Sequence, residues 1–402
     1  MKYVIVQGDG MADHSLESLS GRTPLEAATT PNMDEVASSG LLGTVTTIPS
    51  GLPPGSSVGN MSLMGLEPEK YYTGRASLEA RGQGIEVGED DVVFRLNLVR
   101  TEGNGEVEVM KDYSGGHPSS EKAKQFVDLL EGEVVNNGFN FYSGVSYRNL
   151  VVWEGGRNEF NHESISLTPP HDITGEPVEG YLPEGPGSEQ VREIQEIAKE
   201  VLEEKDESFN GVWLWGPGVK PDLPSFKKRY GLTGAVISAV DLIKGLGAYS
   251  GLEPVGVEGA TGDINTNYEG KVRAVKENLG EDSIVFLHLE APDEASHAGD
   301  LELKIEAIER IDERIIGPLL NYLSEEKENY RLLVATDHIT GLETRTHERG
   351  RVPFAIVDSG RSNVSRGRKF AERDASEEGN EFETGTELID LFFRKEDMND
   401  YK

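Results

Sequence analysis

Three apolar runs stand out along the chain, and each breaks off at polar residues of one kind. YVIVQ (3–7) runs into Gly8-Asp9-Gly10, SIVFLHLEA (283–291) into Pro292-Asp293, and RLLVAT (331–336) into Asp337-His338. Short uninterrupted apolar runs of this sort predict strands buried on both faces, as in a parallel sheet. Between the last two runs, Leu303, Ile308, Ile311, Ile315, Leu319 and Leu323 recur at helical spacing. Strand, helix, strand predicts a right-handed parallel crossover, and GAVISAV followed by DLIKGLG fits the same pattern. Ligands gather outside the carboxyl ends of such strands, so the three polar endings are expected to converge.

The pattern changes from about Gly82 to the charged stretch EQVREIQEIAKEVLEEKDE. VVFRLNLV, EVEVM and RNLVVW alternate like strands, an amphipathic helix is expected over 121–130, and a Pro- and Gly-rich loop over 169–187. We read residues 85–205 as a smaller α+β domain inserted into an α/β core formed by 1–84 and 206–402. The insertion follows because Asp9 and the segment around Ser56 must otherwise find partners far downstream.

Composition narrows the chemistry. The 402 residues include no cysteine, which excludes disulfides, thiolate metal sites and cysteine nucleophiles, and accords with a reducing cytoplasm. MKYVIVQGDG reads as a first strand rather than a leader, and GAVISAVDLIKGLG, the most apolar window, carries Asp241 and Lys244 and falls short of a membrane span. A soluble, cytoplasmic protein with no membrane partner is expected. A net charge of -33 opposes nucleic-acid binding. An anionic substrate would therefore need the sign reversed locally, by metal cations or clustered arginines.

Eight histidines are present. Asp293 and His297 have the spacing D-x-x-x-H, which puts both on one face of a helical turn. Asp337 and His338 adjoin at a strand end, where one can point to each side of a two-ion site, and His347 sits in the polar loop THERGRVP. Without cysteine, carboxylate and imidazole must hold any metal, which suits Mn²⁺, Zn²⁺, Co²⁺ or Mg²⁺. In LPPGSSVGNMSLMG (52–65) two prolines and a glycine deliver two serines to the start of an apolar helical turn. Either Ser56 or Ser57 caps that helix, or one is a nucleophile where a helix N-terminus favours a phosphate. Asp9, Ser56, Asp293, His297, Asp337, His338 and His347 are enough for two ions roughly 3.5–4 Å apart, the arrangement that binds the attacking and leaving oxygens of an in-line displacement.

GDGMAD, GRTPLEAATTPNMD, PGSSVGNMSLMG, YYTGRASLEARG, TPPHDITG, GATGDINTNYEGK, APDEASHAGD, ATDH and THERGRVPFAI, in this order, resemble the archaeal-type cofactor-independent phosphoglycerate mutases of the alkaline phosphatase superfamily. The resemblance implies an alkaline-phosphatase-like three-layer core with a mostly parallel sheet, and an inserted phosphotransferase domain. It implies interconversion of 3- and 2-phosphoglycerate through a phosphoserine, with two divalent ions, Mn²⁺ first among them, and no organic cofactor. Carried over by residue, Ser56 is the nucleophile; Asp9, Ser56, Asp337 and His338 hold one metal, and Asp293, His297 and His347 the other. Ser57 occupies a position usually acidic in the family. Asn60 stands where a histidine is expected, and His117, in KDYSGGHPS, where the archaeal branch more often has arginine. The remaining histidines are expected outside the chemistry: His288 packed within its strand, His14 and His162 without signal.

The same serine and metals could run hydrolysis. A mutase must retain glycerate under a cover that excludes water and grips a carboxylate. Arg148 in YRNLVV and His171 and Asp172 in PPHDITG are the candidates, arginine because its planar fork makes two parallel hydrogen bonds. Asp112 or Asp172 could shuttle the proton of the glycerate hydroxyls. The alternatives are a phosphatase or phosphotransferase acting on another small phosphate ester and, last, a non-catalytic anion- or metal-binding protein.

Overall fold

A computed structural model describes residues 1–103, 107–134, 138–160, 165, 167–202, 205–326, 328–360 and 367–394. His162 lies outside the described residues. The chain forms two compact units, one of Met1–Tyr72 with the chain from Asp222 onward, the other of Thr73–Pro221. Among the described residues, no helix is long and apolar enough to cross a membrane.

In the first unit an eight-stranded sheet runs in the order Glu381–Phe382, Leu41–Thr46, Arg351–Asp358, Tyr330–Ala335, Lys2–Gly8, Ser283–Leu289, Thr233–Ile237, Glu253–Val255. Arg351–Asp358 runs antiparallel to both neighbours, and the other pairings are parallel. The three apolar runs are strands, as expected, but the crossover from Ser283–Leu289 to Tyr330–Ala335 skips one position. The Lys2–Gly8 strand fills it, with Val4 opposite both Val285 and Leu332. Every residue of that strand is buried, so it needs a hydrogen-bonding neighbour on each edge and a cover on each face. Val4 and Val6 pack with Met33, Val36, Ile308, Ile315 and Leu319 on one face. On the other, Tyr3 meets Phe392 and Phe393 of the Gly385–Phe393 helix edge-on at 5.6 and 5.1 Å. Helices thus cover both faces, giving three layers.

The single helix expected between the last two runs has a defect at its centre. Leu301–Ile311 and Gly317–Glu325 are joined through a π turn, Asp312–Ile316. Pro318 has no N–H to return to the preceding turn, which favours such a bulge. The buried Asp312 carboxylate accepts from the N–H groups of Asn32 and Met33 at 3.3 and 2.7 Å. Those are free donors of the Pro31–Ser39 helix, whose own flanking Thr30 makes no capping bond.

The second unit is an antiparallel sheet in the order Glu108–Asp112, Val92–Gly103, Arg148–Trp153, Phe139–Val145, with Gly211–Gly218 also paired to Val92–Gly103. Helices Ser120–Glu133 and Ser188–Leu202 lay Val127, Leu130, Val191 and Ile194 on Phe94, Leu96 and Leu98. The unit extends past 85–205 at both ends because helix Ala76–Gly82 packs Ala76 and Ala80 on Val93, and because Gly211–Gly218 completes the sheet. Its entry and exit are bonded together: Thr73 Oγ1 donates to the Val219 carbonyl at 2.7 Å, and Val219 N–H returns to Thr73 O at 3.1 Å.

Candidate active site

The first strand ends in Gly8, and the next residue, Asp9, is fixed by its N–H donating to Leu289 O at 2.8 Å. Gly10 then turns with φ 61°, where a Cβ would stand 2.6 Å from Thr340 Oγ1 and 2.8 Å from Asp293 Oδ1. Only glycine meets both demands, and the turn brings two strand ends together. Asp337 follows the Tyr330–Ala335 strand with only Thr336 between, its Oδ1 accepting from Gly10 N–H at 3.3 Å.

The Ser56–Leu63 helix is flanked by Gly55, and no side chain caps it. Capping therefore does not account for the serines. Ser56, on the first turn, instead places Oγ 3.2 Å from His338 Nε2. The helix presses against the Asp337 backbone at Gly59, where a Cβ would come within 2.6 Å of Asp337 O.

Helix Ala291–Ala298 carries Asp293 and His297 one turn apart, as the spacing predicts, with Oδ2 and Nε2 3.2 Å apart. His347 comes from a two-stranded hairpin, opposite Thr340. Its Nε2 lies 3.0 Å from His297 Nε2 and 3.4 Å from Asp293 Oδ1. His338 Nε2 stands 3.2 Å from Asp337 Oδ2 and 3.4 Å from Asp9 Oδ1, so Asp337 and His338 face one centre rather than two sides of it. All seven expected core residues meet there. Two of the ligand-spaced groups that result are Asp293, His297 and His347, and Asp9, Asp293 and His338.

The electrostatics call for positive charge. Burial, reinforced by the Asp337, Glu290 and Asp293 carboxylates, raises Asp9 well above the usual range. Burial and Asp293 push Asp337 up to about 7. Against burial, hydrogen bonds from His297 and His347 hold Asp293 well below the usual carboxylate range, and Asp293 in turn lifts His297 to about 9. Burial drives His338 down to about 3, leaving a neutral imidazole free to ligate. Asp9 Oδ1 is fully buried with no hydrogen-bond partner, and two Nε2 atoms of the same type face each other across 3.0 Å. A divalent cation satisfies these groups, and the donor set suits one.

In the second unit, Arg148 and His171 line a cavity of about 140 Å³ with Arg95, Asn97, Tyr113, Tyr147 and Trp215. The Arg95 guanidinium lies over the Trp215 ring at 4.1 Å and pairs with Glu79 at 3.0 Å; burial lowers its pKa to about 10. His171 meets Trp215 edge-on at 5.4 Å, and exposed Asp172 sits beside it. His117, with φ 51°, packs edge-on against Tyr147 at 5.1 Å. Asp112 turns onto its own loop, accepting from the N–H groups of Ser114 and Gly116 at 2.7 and 2.8 Å. Despite burial, these bonds hold it below the usual carboxylate range.

Residues 37–208 match the family model described as 2,3-bisphosphoglycerate-independent phosphoglycerate mutase. A protein of that name from Methanothrix thermoacetophila is 47% identical over 401 residues, covering 97% of this chain and 99% of the relative. Another of that name, from Methanosarcina mazei, is 47% identical over 366 residues, covering 89% of this chain and 90% of its own. The chain belongs to the 2,3-bisphosphoglycerate-independent phosphoglycerate mutase family. Among solved structures, a Pyrococcus horikoshii protein superposes with TM-score 0.80 at 28% identity, covering 97% of this chain and 96% of that one. A cofactor-independent phosphoglycerate mutase from Thermoplasma acidophilum shares the fold, with TM-score 0.63 at 24% identity over 98% of this chain and 99% of that one.

In this member of the mutase family, several residues at the centre carry no motif. Thr340 Oγ1 donates to Asp293 Oδ1 at 2.8 Å and lies 3.0 Å from His338 Nδ1, bracing both. His288 is buried in its strand, yet its Nε2 reaches Asp9 Oδ2 at 2.9 Å. Buried Lys304 donates to Asp13 Oδ2 and Thr340 O, each at 2.8 Å, tying the turn after the first strand to the hairpin. Arg95 and Asn97 read along the chain only as strand residues, and Trp215 carries no signal at all. His14 is exposed and pairs with Glu348 at 2.9 Å.

Proposed function

We propose that this chain, like the relatives named as phosphoglycerate mutases, interconverts 3-phosphoglycerate and 2-phosphoglycerate, and that it does so through a phosphoserine on Ser56. The observation that carries the reading is the meeting of Ser56 with three carboxylates and three imidazoles in one centre, buried at Ser56, Asp9, Asp293, Asp337 and His338 and open on the side of His297 and His347. Asp9, Ser56, Asp337 and His338 would hold one divalent cation, and Asp293, His297 and His347 the other, manganese being our choice of ion. Bound cations would lower the pKa of the Ser56 hydroxyl and offset the phosphoryl charge.

Ser56 Oγ gives up its proton and attacks phosphorus, the bond from phosphorus to the O3 of glycerate breaks, and the departing oxygen takes a proton, so that none is gained or lost in the step. The 2-hydroxyl of the retained glycerate then loses its proton and attacks the phosphoserine, restoring Ser56. Retention is the task we assign to the second unit, taken as the lid domain. Arg148 suits the carboxylate, with His171 beside it in the same cavity and His117 packed on its Tyr147 wall. Asp172, exposed, is the proton carrier, and Asp112 shapes the loop that presents His117.

Purified protein supplied with Mn²⁺ and 3-phosphoglycerate should yield 2-phosphoglycerate with no bisphosphoglycerate required. Inorganic phosphate as the main product would instead identify a hydrolase of the same architecture.

A further inference from the structure

We propose that Ser238 and His288 form a hydrogen-bonded relay that orients Asp9, turning one carboxylate oxygen aside so that the other stays bare for a cation. His288 is a positioning residue in this scheme. The proposal rests on the two-metal reading above and adds to it a function for a pair that no motif marks.

The direction of the relay follows from the acceptors at its far end. Val240 N–H donates to Ser238 Oγ at 2.9 Å, so the serine hydroxyl proton points elsewhere. His288 Nε2 faces two carboxylate oxygens, Asp9 Oδ2 at 2.9 Å and Glu290 Oε2 at 3.3 Å, so the proton of the neutral ring sits on Nε2. Nδ1, 3.1 Å from Ser238 Oγ, is left to accept the hydroxyl proton. Nε2 thus donates to Asp9 Oδ2. Asp9 Oδ1 is left with no hydrogen-bond partner, although the whole carboxylate is buried. A buried bare carboxylate oxygen is costly unless a cation takes it. All three residues are at most 5% exposed, so water cannot substitute for a missing link.

Glu290 Oε2 lies 3.3 Å from the same Nε2, and Asp9, His288 and Glu290 are spaced closely enough to ligate an ion of their own. Buried Lys271 argues against that use. Its ammonium donates to His288 O at 3.2 Å and interacts with Glu290, so positive charge is already built in beside that carboxylate.

The test is Mn²⁺ binding, measured by isothermal titration and electron paramagnetic resonance on the full chain. Ser238→Ala, which removes a single oxygen, and His288→Ala should each weaken one of two Mn²⁺ ions by roughly 10- to 100-fold and leave the other within about twofold. His288→Gln, whose amide can donate to Asp9, should recover most of the loss. Unchanged affinities, equal weakening of both ions, or no recovery in His288→Gln would overturn the relay. Loss of a third ion in His288→Ala would also overturn it, and would assign the cluster to a cation instead. A wild-type chain that takes up fewer than two ions would refute the two-metal reading itself, and the relay with it.

Discussion

Asn60 donates to Asp337 Oδ2 at 2.9 Å from inside the Ser56–Leu63 helix. The same amide nitrogen also donates to Ser56 O at 3.0 Å, one turn back. The position where a histidine is expected therefore holds a neutral donor that ties the serine's turn to the carboxylate. Hydrogen bonds to charged groups are worth about 1.5–3 kcal/mol. Asn60→Ala should lower kcat by roughly tenfold to a hundredfold and weaken Mn²⁺ binding. Asn60→Asp, which sets a second carboxylate against Asp337, should cost more. Wild-type rates in the aspartate variant would show that Asn60 does not support the centre.

Ser56→Ala should abolish turnover while Mn²⁺ binding persists, because the remaining ligands stay in place. Retained mutase activity in that variant would remove Ser56 from the chemistry. Calorimetry beside the activity assay separates a lost nucleophile from a lost metal.

Arg148→Ala should raise KM for phosphoglycerate by roughly 10- to 100-fold, the scale of a lost charge-assisted pair. Arg148→Lys should restore only part of it, since an ammonium cannot make the two parallel bonds of the planar fork. Steady-state kinetics on both variants decides this, and an unchanged KM would place the carboxylate elsewhere.

Glu372 gives a pH dependence. Burial pushes its pKa up from 4.5 to about 7, although it accepts from Thr23 Oγ1 at 2.7 Å and Asp13 N–H at 3.2 Å. A carboxyl group whose folded pKa is raised favours the folded state most below its unfolded pKa. That contribution is lost as pH rises through the interval from 4.5 to about 7. Glu372→Gln, which cannot ionise, should gain thermal stability relative to the wild type between pH 5 and pH 8. Parallel melting curves across that range would contradict it.

What the chain discloses about itself depends on how local the signal is. Asp9, Asp293 and Asp337 are legible because each closes an apolar run or opens the turn behind it, and His297 because four residues make one helical turn. Strand order has no such signal, so nothing in SIVFLHLEA or RLLVAT announces that residues 2–8 lie between them. The Phe139–Val145 and Gly211–Gly218 strands escape notice because Ser143-Gly144 and the Gly216-Pro217-Gly218 ending read as loop. Thr340 and His288 act through hydrogen bonds set by tertiary contact, and an isolated threonine or histidine looks the same anywhere in a chain.

The central place of the Lys2–Gly8 strand affects how the protein is made. Its neighbours, Ser283–Leu289 and Tyr330–Ala335, are among the later segments to leave the ribosome. At about 5–20 residues per second, the first strand waits on the order of tens of seconds for either partner. All of Thr73–Pro221 emerges before either partner, so the insertion is free to fold while the sheet that hosts it still lacks its centre.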